Sequence, residues 1–126
     1  GRIIDFIRGC DVFIMDSHFT DAEFEANPAM CQAFGHSTGE HGVRLAHHAG
    51  VPVLVAHHHN PSKIDVELDK QMCDLRAYGK QWGVHVVAAK PSLCLDLNKS
   101  GRELMQSLDL QDGDVQERYK AISATL

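Results

Sequence analysis

Residues 51–60 read Val-Pro-Val-Leu-Val-Ala-His-His-His-Asn, and much of the architecture follows from this stretch. A short apolar run that is rich in valine and does not alternate with polar residues is typical of a strand covered on both faces, as in a parallel sheet. Polar residues follow the run directly, at the carboxyl end of the predicted strand. Loops at the carboxyl ends of such strands commonly form the functional site. Residues 57–60 are therefore the first candidates for a site.

Helical and extended patterns alternate on both sides of this strand. Apolar positions at helical spacing end before Gly9 and Gly50, and Ser37 or Thr38 is a suitable N-cap for the second of these helices. The order of strand, helix, strand, helix, strand predicts an α/β layered architecture. The predicted helices cover 3–7, 39–49 and 65–81, the predicted strands cover 12–15, 52–56, 84–89 and 93–97, and a long connection over 17–36 contains a turn of helix at 21–25.

Composition limits the classes of protein to which the chain can belong. Its 126 residues suffice for one domain, and a net charge of −5 argues against a strongly basic surface for nucleic acid. No apolar run approaches the roughly 20 residues of a membrane-spanning helix. Four cysteines without a Cys-x-x-Cys pair indicate thiols in a reducing compartment, so we expect a cytoplasmic protein. The unusual feature is the number of histidines, nine against eight aromatic residues.

The triple His57-His58-His59 is the strongest local signal for metal binding. Adjacent side chains on an extended backbone point to opposite faces, so one of the three, or the outer pair, could bind a single ion. A polar loop without a metal is the alternative. The other histidines carry less information: His18 and His85 are isolated, and His41, His47 and His48 miss the spacing that places two ligands on one helix face, which indicates surface residues.

Two further positions could contribute to a site. In Gly35-His36-Ser37-Thr38, His36 lies near a helix N-terminus, where backbone N–H groups suit an anion such as phosphate. The alternative is that Ser37 or Thr38 only caps the helix. Asp16 ends a predicted buried strand, and a buried carboxylate needs a partner such as an imidazole unless it forms an ordinary turn.

Three segments together resemble a known family. CDVFIMDSHFTDAEF at 10–24, GHST at 35–38 and VPVLVAHHHNPSKIDVELD at 51–69 occur in the order and spacing seen in the C-terminal half of metallo-β-lactamase-fold hydrolases. The closest branch is the ribonuclease Z-like and cyclic-nucleotide phosphodiesterase-like one. The resemblance covers residues 9–97, and it implies a metal-dependent hydrolase that acts on phosphodiester bonds.

The resemblance assigns roles residue by residue. His58 matches the last metal-ligating histidine of the family, and His59 is its neighbour in the same motif. His36 matches the histidine that the family uses near the scissile phosphate, and Asp16 matches the acidic residue that hydrogen-bonds to it. Two further motif positions have supporting roles: Asp65 matches a trailing, structural aspartate, whereas Asn60 stands where the family usually has aspartate and so removes a charge near the site.

One family motif is absent from the 126 residues. The His-x-His-x-Asp-His sequence that holds the first metal is not present. The resemblance therefore implies the C-terminal half of a four-layer αββα sandwich, with residues 1–97 as the C-terminal portion of the domain and 98–126 as a helical tail. It implies two Zn²⁺ ions, or Mn²⁺ or iron, in an intact site. We expect the chain alone to be inactive, and to pair with its missing N-terminal half, with another subunit or with a second copy in a homo-oligomer.

A different class of function also fits the sequence. The chain could be a non-catalytic metal-binding or regulatory module that keeps the half-fold. The histidines of 57–59 and 41–48 would then bind a metal at a surface or an interface, and binding would depend on His57 and His59. A simple phosphate-binding domain without metal is a third possibility, supported only by His36 and the predicted helix N-terminus.

Overall fold

The centre of the protein is a three-stranded parallel sheet. The computed structural model describes residues 1–99, 101 and 103–109. Within them, β1 (Val12–Asp16), β2 (Val53–His57) and β3 (His85–Ala88) are neighbours in chain order. Because parallel strands need crossover connections, a helix precedes each return to the sheet. The predicted α/β class is confirmed. The described residues contain one sheet, so the four-layer sandwich stays a proposal.

Helices fill both connections between the strands and precede the first strand. The three helices predicted over 3–7, 39–49 and 65–81 are confirmed, and the last two have the predicted bounds. Thr38 is the N-cap of the helix that begins at residue 39, since its Oγ1 accepts the backbone N–H of His41 at 3.1 Å. Within the described residues, no helix is long and apolar enough to cross a bilayer. The helices are α1 (Arg2–Ile7), α2 (Asp21–Ala26), α3 (Pro28–Phe34), α4 (Gly39–Ala49) and α5 (Asp65–Gln81).

Helix α3 replaces part of the long connection predicted over 17–36. Its start is marked by Asn27, whose side chain accepts the backbone N–H of Met30 at 3.3 Å, and by Pro28 at the first helical position. Gly35, with φ of 71°, ends it in the left-handed conformation. These three residues are ordinary helix boundary signals. The prediction of one long loop gave Asn-Pro the weight of a turn and overlooked the helix between it and the glycine.

The main core lies between the sheet and helices α1, α4 and α5. Val43 and Leu54 are fully buried there, and Leu75 and Val86 are nearly so. The opposite face of the sheet has a smaller cluster, in which Val53 and Val87 pack with Leu104 and Leu108 of the helical segment 103–109. Helices therefore cover both faces of the sheet in the described part of the chain. This explains why β2 is apolar without alternation.

The prediction of a fourth strand over 93–97 is wrong. Residues 91–92 form a turn, with Ser92 at a φ of 75°, and the residues that follow have no strand pairing. Leu93 and Leu95 instead pack on the second cluster as irregular chain, which is sufficient to bury their side chains in part. The domain boundary predicted at residue 97 stays a prediction, and most of the helical tail predicted over 98–126 lies outside the described residues.

Candidate functional site

The register of the sheet brings two distant polar stretches together. Asp16 at the end of β1 is the partner of His57 at the end of β2, and the backbone N–H of Ser17 donates to the carbonyl oxygen of His57 at 2.8 Å. The chain therefore leaves both strands at the same edge of the sheet. His18 and His58 follow these paired ends and lie beside one another.

Asp16 is the centre of the arrangement. Its Oδ1 accepts the backbone N–H groups of Ser37, at 2.9 Å, and of His18, at 3.3 Å. Its Oδ2 lies 2.8 Å from Nδ1 of His36 and 3.2 Å from Nδ1 of His58. Burial would raise the pKa of Asp16, but the hydrogen bonds from Ser37, His36 and His18 outweigh it, and the pKa lies below its usual range. The carboxylate is therefore ionised at neutral pH.

Three imidazole rings stack beside this carboxylate. The rings of His18 and His36 lie 4.3 Å apart at an interplanar angle of 12°, and those of His36 and His58 lie 4.6 Å apart at 22°. One ring nitrogen from each of the three lies within 4.8 Å of the others. Burial, followed by repulsion from His36 and His58, lowers the pKa of His18, which favours its neutral form.

The middle histidine of the triple, and not the outer pair, joins the cluster. The expectation of alternating faces required an extended backbone, and His58 has a φ of 58°, in the left-handed region. This conformation redirects the chain, so that His57 is exposed and His59 is half-buried away from the group. Burial lowers the pKa of His59. The prediction that His57 and His59 could share an ion finds no support in the described part of the chain, where His18, His36 and His58 form the histidine group.

The two remaining predicted positions lie further along the same loop. Asn60 closes a turn, because its Oδ1 accepts the backbone N–H of Ser62 at 2.9 Å. Asp65 is exposed in the first turn of α5, where a negative charge favours the helix dipole. In the structure, Asn60 stabilises a turn and Asp65 lies in the first turn of a helix. A supporting role for either residue in the site stays a prediction.

A cleft of about 370 Å³ adjoins the histidine cluster. Arg44 in its wall donates to Asp21 at 2.6 Å and to the hydroxyl of Tyr78 at 3.1 Å, and Thr38 also donates to Asp21. Burial opposes the charge of Asp21, but the bonds from Arg44 and Thr38 hold its pKa below the usual range. This network fixes the start of α2 against α4. Side chains from α2, α4 and the segment between α3 and α4 line the cleft: Asp21, Phe24, Glu25, His36, Ser37, Thr38, His41 and Arg44.

The N-terminus of α4 has fewer free backbone N–H groups for an anion than the sequence suggested. The backbone N–H of Gly39 donates to the carbonyl oxygen of Phe19 at 3.2 Å, and that of His41 is taken by the Thr38 cap. Both donors are therefore satisfied within the protein. Recognition of a phosphate at this place would depend chiefly on the His36 side chain.

Sequence reasoning missed His18. Taken alone it had no motif, but it lies two residues beyond Asp16 in the loop after a buried strand. The rule that loops at carboxyl ends of strands form sites applies to that loop as much as to 57–60. Applying it to both loops would have made His18 a candidate.

The donor set fits one metal ion and not two. Imidazole nitrogen suits zinc and related metals, and a carboxylate on the second ring nitrogen is the usual support of a metal-binding histidine. His36 has this support from Asp16 through a hydrogen bond of 2.8 Å, and His58 lies 3.2 Å from the same carboxylate oxygen. Three nitrogens with solvent complete one tetrahedral shell. A second ion would need ligands from outside the described residues.

Comparison with known proteins gives one partial similarity. No protein-family model matches the chain. The chain is similar to ribonuclease Z of Thermoplasma volcanium, with 42% identity over 65 residues, which are 52% of this chain and 20% of the relative. The matched region is thus one fifth of that relative's length. The name of this relative agrees with the resemblance of the motifs to the ribonuclease Z-like branch.

Proposed function

We propose that this chain contributes half of the active site of a metal-dependent phosphodiesterase of the metallo-β-lactamase superfamily. The observation that carries the proposal is the grouping of Asp16, His36 and His58 around one carboxylate oxygen, at 2.8 and 3.2 Å. These residues come from three separate segments, and they are the ones to which the family motifs assign the chemistry. The partial similarity to a ribonuclease Z supports the same assignment.

His58 is the residue of this chain that would hold a metal in the intact enzyme. Asp16 supports it, because a carboxylate near Nδ1 keeps the proton there and leaves Nε2 as the ligand atom. When bound, zinc, manganese or iron supplies a Lewis acid and lowers the pKa of water. Two ions in the intact site require the His-x-His-x-Asp-His ligands of another segment or subunit. The four-layer sandwich, a homo-oligomeric assembly and a cytoplasmic location belong to the same proposal.

His36 would act on the substrate. Its Nδ1–H donates to Asp16 at 2.8 Å, so Nε2 is the nitrogen left for the reaction. An imidazole oriented in this way can stabilise phosphate oxygens or give a proton to the leaving oxygen. The adjoining cleft can hold the part of the substrate next to the phosphate. The relative's name makes RNA phosphodiesters the first class to test, with cyclic nucleotides next.

The test has a sequence part and an activity part. A His-x-His-x-Asp-His motif is expected either in frame before Gly1 or in a subunit that co-purifies with the chain, and its absence from both would contradict the proposal. The longer polypeptide should hydrolyse bis(p-nitrophenyl) phosphate and leave β-lactams and thioesters intact. The His36→Ala change should remove turnover and leave its metal content nearly unchanged, whereas His48→Ala, on the exposed end of α4, should change neither. Turnover that survives His36→Ala would overturn the role of His36.

The second candidate is a non-catalytic metal-binding module. One observation favours it: the described residues offer ligands for one ion, which suits binding and not two-metal hydrolysis. Such a module would bind an ion as the 126-residue chain and would have no hydrolase activity in any longer form. The activity assay on the longer polypeptide therefore separates the two candidates.

A further inference from the structure

We infer that the 126-residue chain binds one transition-metal ion by itself, through His18, His36 and His58. The inference is independent of the proposed hydrolase, because it needs only ligands that the described residues supply. It assigns a part to His18, which neither the motifs nor the proposed mechanism uses.

The first support is distance. One nitrogen from each ring lies within 4.8 Å of the other two. In a tetrahedral zinc site with Zn–N bonds of about 2.1 Å, ligand nitrogens lie about 3.4 Å apart. The rings must therefore close by no more than about 1.4 Å, starting from the 4.8 Å limit. Because they are stacked nearly parallel, they must also tilt so that their in-plane lone pairs meet at one ion.

The second support is the protonation of two of the rings. A carboxylate oxygen can only accept, so Nδ1 of His36 carries a hydrogen where it donates to Asp16 Oδ2 at 2.8 Å. Nδ1 of His58 lies 3.2 Å from the same oxygen, without a hydrogen bond, and the negative charge there favours a hydrogen on that nitrogen as well. The lone pair of each ring is then on Nε2, on the side away from Asp16. The hydrogen bond thus fixes His36 in the tautomer that a metal ion requires, and the carboxylate charge favours the same tautomer in His58.

The third support is an unsatisfied atom on His18. Its Nδ1 is buried and has no hydrogen-bond partner within the described part of the chain. A buried polar atom in this state costs free energy, which an ion or a water held by that ion would relieve. The same ring lies next to His36, with the two ring centroids 4.3 Å apart, so the third ligand is a direct neighbour of the other two.

The backbone of His58 gives a fourth support. His58 has a φ of 58°, a left-handed conformation that is unfavourable for a residue other than glycine. Such a conformation persists when surrounding contacts determine it, and it is frequent at ligand sites. Here it directs the middle histidine toward Asp16 and leaves His57 exposed.

His36 cannot serve this ion and a phosphate at the same time. Asp16 occupies its Nδ1, so one ring nitrogen remains. In the longer polypeptide, where other ligands hold the metals, the proposed function expects His36→Ala to retain metal. In the isolated chain, the three-histidine site expects the same change to lose it. His36→Ala is thus expected to keep its metal in the longer polypeptide and to lose it in the isolated chain.

The experiment uses the untagged 126-residue chain freed of metal by a chelator. Zn²⁺ is titrated by calorimetry, and Co²⁺ is titrated by its visible spectrum, whose intensity reports tetrahedral coordination. We expect one equivalent per chain, and a loss of at least tenfold in affinity with His18→Ala, His36→Ala or His58→Ala. His57→Ala is the matched control, since it removes the exposed histidine next to His58, at the end of β2, and should bind as the unchanged chain does.

The outcomes separate this inference from the proposed function. Unchanged affinity in His18→Ala, or equal losses in His18→Ala and His57→Ala, would overturn the three-histidine site. Loss of metal in His18→Ala with a folded circular-dichroism spectrum supports it, whether or not any longer form is a hydrolase. If His18→Ala fails to fold, His18→Gln keeps the length and polarity of the side chain without an imidazole and gives the same comparison.

Discussion

Replacing Asp16 by asparagine tests whether the carboxylate fixes the histidine tautomers. Asparagine has nearly the same shape, and its amide oxygen can keep the bonds from the backbone N–H groups of Ser37 and His18. Its NH₂ group then faces Nδ1 of His36 and of His58, where only acceptors are compatible. His36 must therefore move its hydrogen to Nε2, and His58 loses the negative charge that favours a hydrogen on its Nδ1. The lone pairs needed for a metal ion turn inward, toward residue 16.

Asp16→Asn should change the free energy of unfolding and the metal affinity by different amounts. Hydrogen bonds to a charged acceptor contribute about 1.5–3 kcal/mol when buried, and the variant retains neutral ones. Since the Asp16 side chain is 30% exposed, we discount for solvent and expect the free energy of unfolding to fall by about 1–2 kcal/mol. Loss of the carboxylate behind a metal-binding histidine lowers affinity by about 10–100-fold, and here two histidines are affected. Stability should thus change little and metal affinity greatly.

Urea unfolding followed by circular dichroism measures the first effect, and Co²⁺ titration measures the second. Asp21→Asn is the control, because Asp21 is a carboxylate of similar exposure, bonded to Arg44 and Thr38, with no part in the histidine cluster. It should lose comparable stability and keep its metal affinity. Wild-type affinity in Asp16→Asn, or an equal loss of affinity in Asp21→Asn, would refute the tautomer argument.

Three more predictions concern stability. Because the pKa of Asp21 is low, its bond to Arg44 stabilises the protein above about pH 4, and this stabilisation is lost as the pH falls through the lowered pKa. In urea titrations, the difference in the free energy of unfolding between wild type and Asp21→Asn should therefore shrink below pH ~4. Gly79→Ala should cost about 1–2 kcal/mol, because its Cβ would lie 2.7 Å from the Val84 carbonyl oxygen, which outweighs a helix-propensity gain of about 1 kcal/mol; a urea midpoint at or above wild type would contradict this. Zn²⁺ at about 100 times its Kd should add about 2.7 kcal/mol, seen as a higher Tm, and His18→Ala should show no such rise at that concentration.

The sequence predicts the elements of this fold well where local signals agree. Helix α4 begins and ends as predicted because a threonine cap, an apolar face and Gly50 all indicate the same bounds. Strand β2 is apolar on both faces because helices cover both sides of the sheet. The strand prediction over 93–97 failed for the opposite reason: Leu93 and Leu95 are partly buried against the second cluster, but no strand pairs with them. Apolar residues indicate burial more reliably than they indicate the backbone that achieves it.

The site could be placed from the sequence only in part. Aligning the apolar runs of β1 and β2 at their first polar residues puts Asp16 opposite His57, which is the observed register. That register predicts that a histidine of the triple lies beside Asp16. It does not give which one, because the choice depends on the left-handed backbone of His58, a local conformation without a sequence signal. The stacking of His18 on His36 depends in turn on the path of the loop after β1, which Asp16 fixes by accepting the backbone N–H of His18. One carboxylate thus sets the backbone of one histidine and the ring nitrogens of two others, so the composition of the cluster follows from Asp16 and not from the density of histidines around it.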